Sequence, residues 1–568
     1  MALTMVAPGA ASADNITQTL QLPAPVPASS GVTGSYLSAQ FAKNRGDTDQ
    51  AIRDLEAVYR RDPKDMSVAV QLQGMLLLEG RFDDALLLAE NIENSDTKDS
   101  LADLLLVLRQ VKNNNPDEAS NMLDNVSDNG TVQLWMPLLT GWVDLSRHQL
   151  AKPLTIEDMG VDVGRALPLV NYHLALINSQ GGFKDAAAQN FKDAIEDPAN
   201  PPDRIIRMLL AFYDQNNSPA MLTPIVKAYR NAHPNTENLP PPLVIATPQD
   251  GIAEVLYTMG GIMYGAGVIN DAAIYLQLTT YIKPDMDEAT VALADAYSEL
   301  KHYNHSNATY AKITPQSPYY ARAQLHIATN YERMGKLPEA LKRLDAMVKT
   351  SPDAAVDILV TKGDLLRTHS RFEEAVNTYN DVLNRMPEQS EDRWAILFAR
   401  ATCLDRMGQW PAAEKDLQQA LALKPDQPDV LNYLGFARLE HGETVKEAGE
   451  MIAKAVKVRP NDAEIVDSMG WALYMQGNYE EAKGYLEKAV ELLPGDPTVN
   501  DHLGDTYWQL GRKTEARFQW ERSLTFSPEE KLVSIIRKKL KDGLPPPATM
   551  AGVIPEGAGG KPIVAATP

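Results

Sequence analysis

A proline recurs at a nearly fixed interval through the second half of this chain. Pro318, Pro352, Pro387, Pro425, Pro460, Pro494 and Pro528 are separated by 34, 35, 38, 35, 34 and 34 residues. Twelve residues before each stands a small side chain: Ser306, Ala340, Ala375, Ala413, Ala448, Ala482 and Ala516. Four residues after each of those stands a bulky one: Tyr310, Leu344, Tyr379, Leu417, Ile452, Leu486 and Trp520. Seven units in register constrain the fold more than composition can. A length of 568 residues would otherwise suggest about four domains, but a chain of stacked units grows without adding domains.

The unit is clearest in "DHLGDTYWQLGRKTEARFQWERSLTFSP", residues 501–528. Leu503-Gly504, Tyr507, Gly511, Ala516, Trp520 and Pro528 fall at the offsets of one repeat. This spacing resembles the tetratricopeptide repeat (TPR) over residues 287–528, in which two antiparallel helices make one unit. The glycine or alanine at position 8 and the alanine at position 20 are small because the paired helices approach closest there. A larger side chain would overpack the contact by about 1–3 kcal/mol. One helix pair cannot bury its own apolar face, so stacking makes the core. The expected fold is all-α: a TPR solenoid, a right-handed superhelix of antiparallel helix pairs, with about 12 to 14 repeats in two segments.

Residues 1–13 end in Ala11-Ser12-Ala13 before Asp14, a cleavage pattern that suggests the remainder of a signal peptide beginning upstream of Met1. A Pro/Ala-rich linker is expected over 14–33 and degenerate repeats over 34–232. The run "NAHPNTENLPPPLVIATPQDG" predicts a break, placed at 233–250, because no helix continues through three prolines. The second superhelix is assigned to 251–528. Residues 130–165 are expected to be helical but off consensus. Ser527-Pro528-Glu529-Glu530 predicts a capping box opening a terminal helix over 529–543. Lys538, Lys539 and Lys541 suit that helix's C-terminal dipole. The Pro/Gly/Ala-rich segment 544–568 is expected to be disordered.

Composition excludes several functions. The formal charge of −21 repels nucleic acid, whose binding needs Lys and Arg at phosphates. No apolar run approaches the ~20 residues of a membrane span. The single cysteine, Cys403, rules out an internal disulfide and reads as core packing. His302 and His305 are spaced like a metal pair, but no third ligand is near in sequence, and they are assigned to a helix–helix turn. "GRKT" at 511–514 is likewise read as a turn rather than a phosphate loop. No block of the size a catalytic domain requires lies outside the repeats. The expectation is no catalysis, no metal and no cofactor.

The resemblance to TPR arrays implies that positions 2, 5, 9 and 12 of each first helix line a concave groove. In the last three units these offsets select Asn432 and Phe436; Asp467, Trp471 and Tyr474; and Asp501, Asp505 and Trp508. Aromatic residues there suit binding hot spots, and the aspartates would pair with cationic partner groups. Trp471 and Trp508 could equally pack between adjacent helices.

The segment from "VDSMGWALYMQGNYEEAKGYLEKAV" to "ARFQWERSL", together with "IATPQDGIAEVLYTMGGIMYGAG", resembles a family of exported TPR proteins of alphaproteobacteria. Relatives of that family include a Pseudomonas-type outer-membrane lipoprotein that binds a carboxyl-terminal processing protease and presents peptidoglycan hydrolases to it. The resemblance implies a periplasmic or envelope-associated adaptor with such a protease and cell-wall hydrolases as partners; a cytoplasmic location is the alternative. This chain departs from the lipoprotein in having no lipidation cysteine. The alternative is an accessory subunit of polysaccharide assembly or export.

Overall fold

The computed structural model describes residues 31–126, 134–195, 202–216, 222–232, 242–350, 355–442 and 445–545. The expected signal and most of the linker, the centre of the proline-rich break and most of the tail lie outside those residues. The described residues form a series of α-helices from Val32–Asn44 to Glu530–Asp542, with no strand among them. Consecutive helices pair antiparallel and stack as a helix-pair solenoid. The repeat register accounts for the core. Every small residue of the seven units is fully buried, and so is every bulky one, from Tyr310 to Trp520. The small residue at position 8 marks the closest approach: a Cβ on Gly363, Gly470 or Gly504 would lie 2.6, 2.5 or 2.5 Å from Tyr379, Leu486 or Trp520. Cys403 is buried within Arg393–Arg406, and burial pushes its thiol up to about 11, so it is an inert packing residue.

The chain separates into two compact units, Met1–Ala340 and Leu341–Pro568. Residues 233–241 of the expected break lie outside the described residues. Residues 242–247 dock on their own unit: the Leu243 amide donates to the Arg207 carbonyl, and Gln180 donates to the Ile245 carbonyl at 2.7 Å. The helix Pro248–Gly265 then opens on a capping box of Thr247 and Asp250. It meets Met136–Ser146 so closely that a Cβ on Gly251 would lie 2.2 Å from the Trp142 ring. The off-consensus stretch supplies that tryptophan and then leaves the helical pattern. Residues 147–166 hold only two short 3₁₀ turns, Glu157–Met159 and Gly164–Ala166.

In the first unit the stack curls back on itself. The helix Ile269–Ile282 packs on Met66–Leu78 and Ser100–Lys112. Tyr281 lies 4.5 Å from Phe82, ring to ring, under the Lys112 ammonium at 3.6 Å. Tyr297 donates its hydroxyl to the Leu78 carbonyl and accepts from Gln277 at 2.6 Å. These contacts tie Ile269–Ile282 and Asp287–Glu299 to the second and third helix pairs.

The second unit ends in Glu530–Asp542, whose Ile536 is buried against the last repeats. The capping box predicted at its start does not form. Ser527 has φ 53, so it terminates the preceding helix, and the new helix starts at Glu530 without a side-chain cap. Gly511, with φ 80, makes the turn between Pro497–Gln509 and Lys513–Thr525, where "GRKT" lies.

Candidate functional site

The eight residues predicted to line a groove sit close in the repeat register, but seven are buried. Asn432, Phe436, Asp467, Trp471, Tyr474, Asp501 and Asp505 are each no more than 7% exposed. Trp508 is half-buried. Trp471, Tyr474, Asp467, Asp501, Asp505 and Trp508 find partners within the chain itself. Trp471 stacks between Tyr474 at 4.7 Å and His502 at 4.1 Å. The His502 Nδ1 lies 2.9 Å from Asp467 Oδ2. Trp508 donates Nε1 to the Leu544 carbonyl at 3.0 Å, with the Lys513 ammonium 3.7 Å over its ring.

Asp501 and Asp505 share one cation. Lys539 of the terminal helix reaches Asp501 Oδ2 at 2.7 Å and Asp505 Oδ2 at 2.8 Å, and all three are buried. Lys539 thus serves as a buried ion rather than as a solvated partner of its helix dipole. Burial pushes Asp505 up to about 6, with Asp501 adding repulsion, while Lys539 and Trp520 pull the other way. Burial disfavours the Lys539 ammonium, but the two carboxylates outweigh it and hold its pKa above the ordinary value.

The aspartate at position 9 follows a rule within the repeat. Tyr379 donates to Asp364 at 2.7 Å and Trp520 Nε1 donates to Asp505 at 2.8 Å. Tyr310 donates to Asp295 in the same way. Each pair is 15 residues apart. In the other four units position 9 is Thr329, Thr402, Phe436 or Trp471, and the bulky residue is apolar: Leu344, Leu417, Ile452 or Leu486. Position 9 therefore carries Asp where position 24 carries a polar-tipped ring. The buried N–H or O–H needs an acceptor, and this carboxylate supplies it.

The same logic holds elsewhere. Asp405 accepts from Tyr433 at 2.8 Å. In the first unit the buried Glu254 pairs with Arg204 and accepts from Tyr172 at 2.9 Å, with the Arg204 guanidinium 4.7 Å from the Tyr257 ring. These constellations hold helices together. None presents a nucleophile with a base in an open cleft. His302 and His305, set aside for want of a third ligand, are joined in space by Glu79, which no local reading of the sequence could have supplied.

The His502–Asp467 pair makes a pH prediction. Burial disfavours the imidazolium, but Asp467 holds it through charge and hydrogen bonding, so the His502 pKa is raised above 6.5. A raised histidine contributes its full stability below the unfolded value and loses it as pH rises through the folded value. Amide exchange of Ala463–Met475 and Pro497–Gln509 should therefore quicken as pH climbs above 6.5, after correction for intrinsic exchange. Asp467→Asn should remove that dependence. A dependence unchanged in the variant would show that the pair does not cause it.

The stacked helix pairs and their residue register define a TPR-repeat protein. Family models described as tetratricopeptide repeat match residues 398–463 and 463–496. The chain is similar to a TPR repeat-containing protein of Pseudomonas aeruginosa, 30% identical over 201 residues, covering 35% of this chain and 33% of that protein. It is also similar to a lipoprotein NlpI homologue of Haemophilus influenzae, 38% identical over 69 residues, covering 12% of this chain and 22% of that protein. A solved tetratricopeptide repeat protein from Parabacteroides merdae matches with a TM-score of 0.36 at 17% identity, covering 45% of this chain and 97% of that one. The chain spans about a third or less of the length of these two curated relatives. No helix among the described residues is long and apolar enough to cross a membrane.

Proposed function

We propose that this protein is a non-catalytic scaffold that gathers other proteins, and that it does so in the cell envelope as an adaptor for a carboxyl-terminal processing protease and its cell-wall hydrolase substrates. The scaffold reading rests on the TPR units themselves. The envelope reading rests on the segments quoted above and on the likeness to a lipoprotein homologue.

The observation that carries the binding mode is a row of carboxylates at the starts of successive first helices in the second unit. Asp429, Asp462, Glu464 and Asp496 are each partly exposed. Burial raises Glu464 to about 7, with Asp462, Asp496, Asp429 and Asp467 adding repulsion. Arg459 already pairs with Asp429 at 2.6 Å and reaches Asp462 at 3.4 Å, so the charge open to a cationic segment of a partner is that of Glu464 and Asp496. The buried Trp471, Asp467, Asp501 and Asp505 of the predicted groove then act as framework beneath this edge.

The test is affinity capture from envelope extract by the full chain and by a Glu464→Lys variant that keeps its helical circular dichroism. The expected result is capture of a processing protease or wall hydrolase by the native chain, weakened by the variant and by raised salt. Equal capture by both chains would remove the acidic edge from the account. Capture of polysaccharide-assembly proteins instead would overturn the adaptor role.

A further inference from the structure

We propose that Glu79, His302 and His305 form a binding site for a divalent cation of the zinc class, and that the bound ion clasps the curled first unit shut. The ligand atoms of the three side chains all lie within 4.8 Å of one another. They come from opposite ends of the unit. Glu79 follows Met66–Leu78, while His302 and His305 occupy the N-cap and third positions of Tyr303–Tyr310. Side chains at those two positions of a helix start face each other, which is the geometry a capping box uses. Here both are imidazoles, and they point at a carboxylate.

Two unpartnered atoms mark the place of the ion. The Glu79 side chain is 7% exposed; its Oε2 lies 2.7 Å from His305 Nε2, and its Oε1 has no hydrogen-bond partner. The His302 Nδ1 is also buried without a partner. The other nitrogen of that ring, Nε2, lies 3.0 Å from the Gly46 carbonyl oxygen. A carbonyl only accepts, so Nε2 carries the proton and Nδ1 presents its lone pair. Metal-ligating histidines are oriented in this way, by donating the far N–H to a backbone carbonyl. An orphaned carboxylate oxygen and an orphaned imidazole lone pair, both buried, are costly without a ligand.

Two nitrogens and one oxygen suit zinc, with cobalt and nickel as close relatives. Ligands at about 2.0–2.2 Å in a tetrahedron lie roughly 3.3–3.5 Å from one another. Glu79 and His305 must open slightly from 2.7 Å, and the widest separation, at most 4.8 Å, must close by up to about 1.5 Å. Both changes are within reach of side-chain torsions. His305 is 42% exposed, so an ion has a way in and a fourth position is left for water. The helix N-terminus opposes a cation. The Glu79 charge offsets that, and Asp49 adds to the negative field felt by His305. The Tyr297 ring lies 5.7 Å from His305 and 6.4 Å from His302 and makes the hydrogen bond to Leu78, so the clasp sits on the contact that already closes the unit.

The test uses the full chain, stripped with chelator and titrated with zinc chloride by calorimetry, with bound metal counted by mass spectrometry. One zinc per chain is expected. Glu79→Gln and His302→Ala should each weaken binding by roughly 10- to 100-fold. Cobalt should give the visible bands of a four- or five-coordinate nitrogen–oxygen site. Zinc should also slow amide exchange at both 46–48 and 297–306, a readout independent of the variants' folding. No stoichiometric uptake by the native chain, or uptake unchanged in both variants, would overturn the site. Uptake without protection of the two segments would overturn the clasp.

Discussion

Lys539→Met is expected to destabilise the C-terminal end of the solenoid by about 3–5 kcal/mol, the usual cost of removing one partner from a buried ion group. The substitution keeps the length of the side chain, so packing loss is small and the effect is electrostatic. It leaves Asp501 and Asp505 buried without their shared cation. Asp505 already sits at about 6 with the lysine in place, so in the variant it is pushed higher still. The unfolded chain releases this proton near 3.8. The folded variant therefore binds more protons than the unfolded chain above that value, and its stability falls as pH rises. The deficit should be largest above pH 6 and shrink on acidification. Adding Asp501→Asn and Asp505→Asn to Lys539→Met should recover most of the loss, since a neutral set needs no counter-ion. Amide exchange of Glu530–Asp542 and Pro497–Gln509 in the full chain reads all three effects. An unchanged Lys539→Met chain would mean that the terminal helix is held by Ile536 and its apolar neighbours alone.

The parts of this fold that could be read from sequence are those fixed within one unit. The small residues at positions 8 and 20 and the bulky residue at 24 meet inside a single helix pair, so their spacing carries their role. The same locality held the key to the aspartates. Asp295, Asp364 and Asp505 stand 15 residues before a tyrosine or tryptophan, and that pairing explains them without a groove. Reading Asp505 by its position in the first helix alone assigned it to a partner instead.

Lys539 was ambiguous for another reason. A lysine in a last helical turn suits both the dipole and a buried carboxylate pair, and only the packing of the terminal helix decides. Ser527 was ambiguous in the same way, since one serine can end one helix or begin the next. The Glu79–His302–His305 group was beyond any local reading. Tyr297 and Leu78, which bring its two sides together, are 219 residues apart. Their contact depends on the curvature accumulated over several helix pairs. That curvature comes from small rotations per repeat, which no single-unit consensus records.

Trp520→Ala is the second substitution expected to cost about 3–5 kcal/mol, the range for emptying a buried aromatic site. The side chain is fully buried, its ring packs over Gly504, and its centroid lies 5.2 Å from that of Trp508. The loss combines a cavity with a severed hydrogen bond, because Nε1 is a donor to Asp505. Trp520→Phe separates the two contributions. It keeps most of the ring and deletes the donor, so about 1–3 kcal/mol of the cost should remain. Trp520→Phe and Asp505→Ala should be non-additive in a double-mutant cycle, because each removes the same bond. Damage should also stay local. In a stacked array each unit contacts only its neighbours, so exchange should quicken in Pro497–Gln509, Lys513–Thr525 and Glu530–Asp542 while Arg393–Arg406 keeps its protection. Faster exchange throughout Leu341–Pro568 would show instead that the second unit unfolds as one cooperative body, and that the pairing of position 9 with position 24 stabilises the whole unit rather than its own repeat.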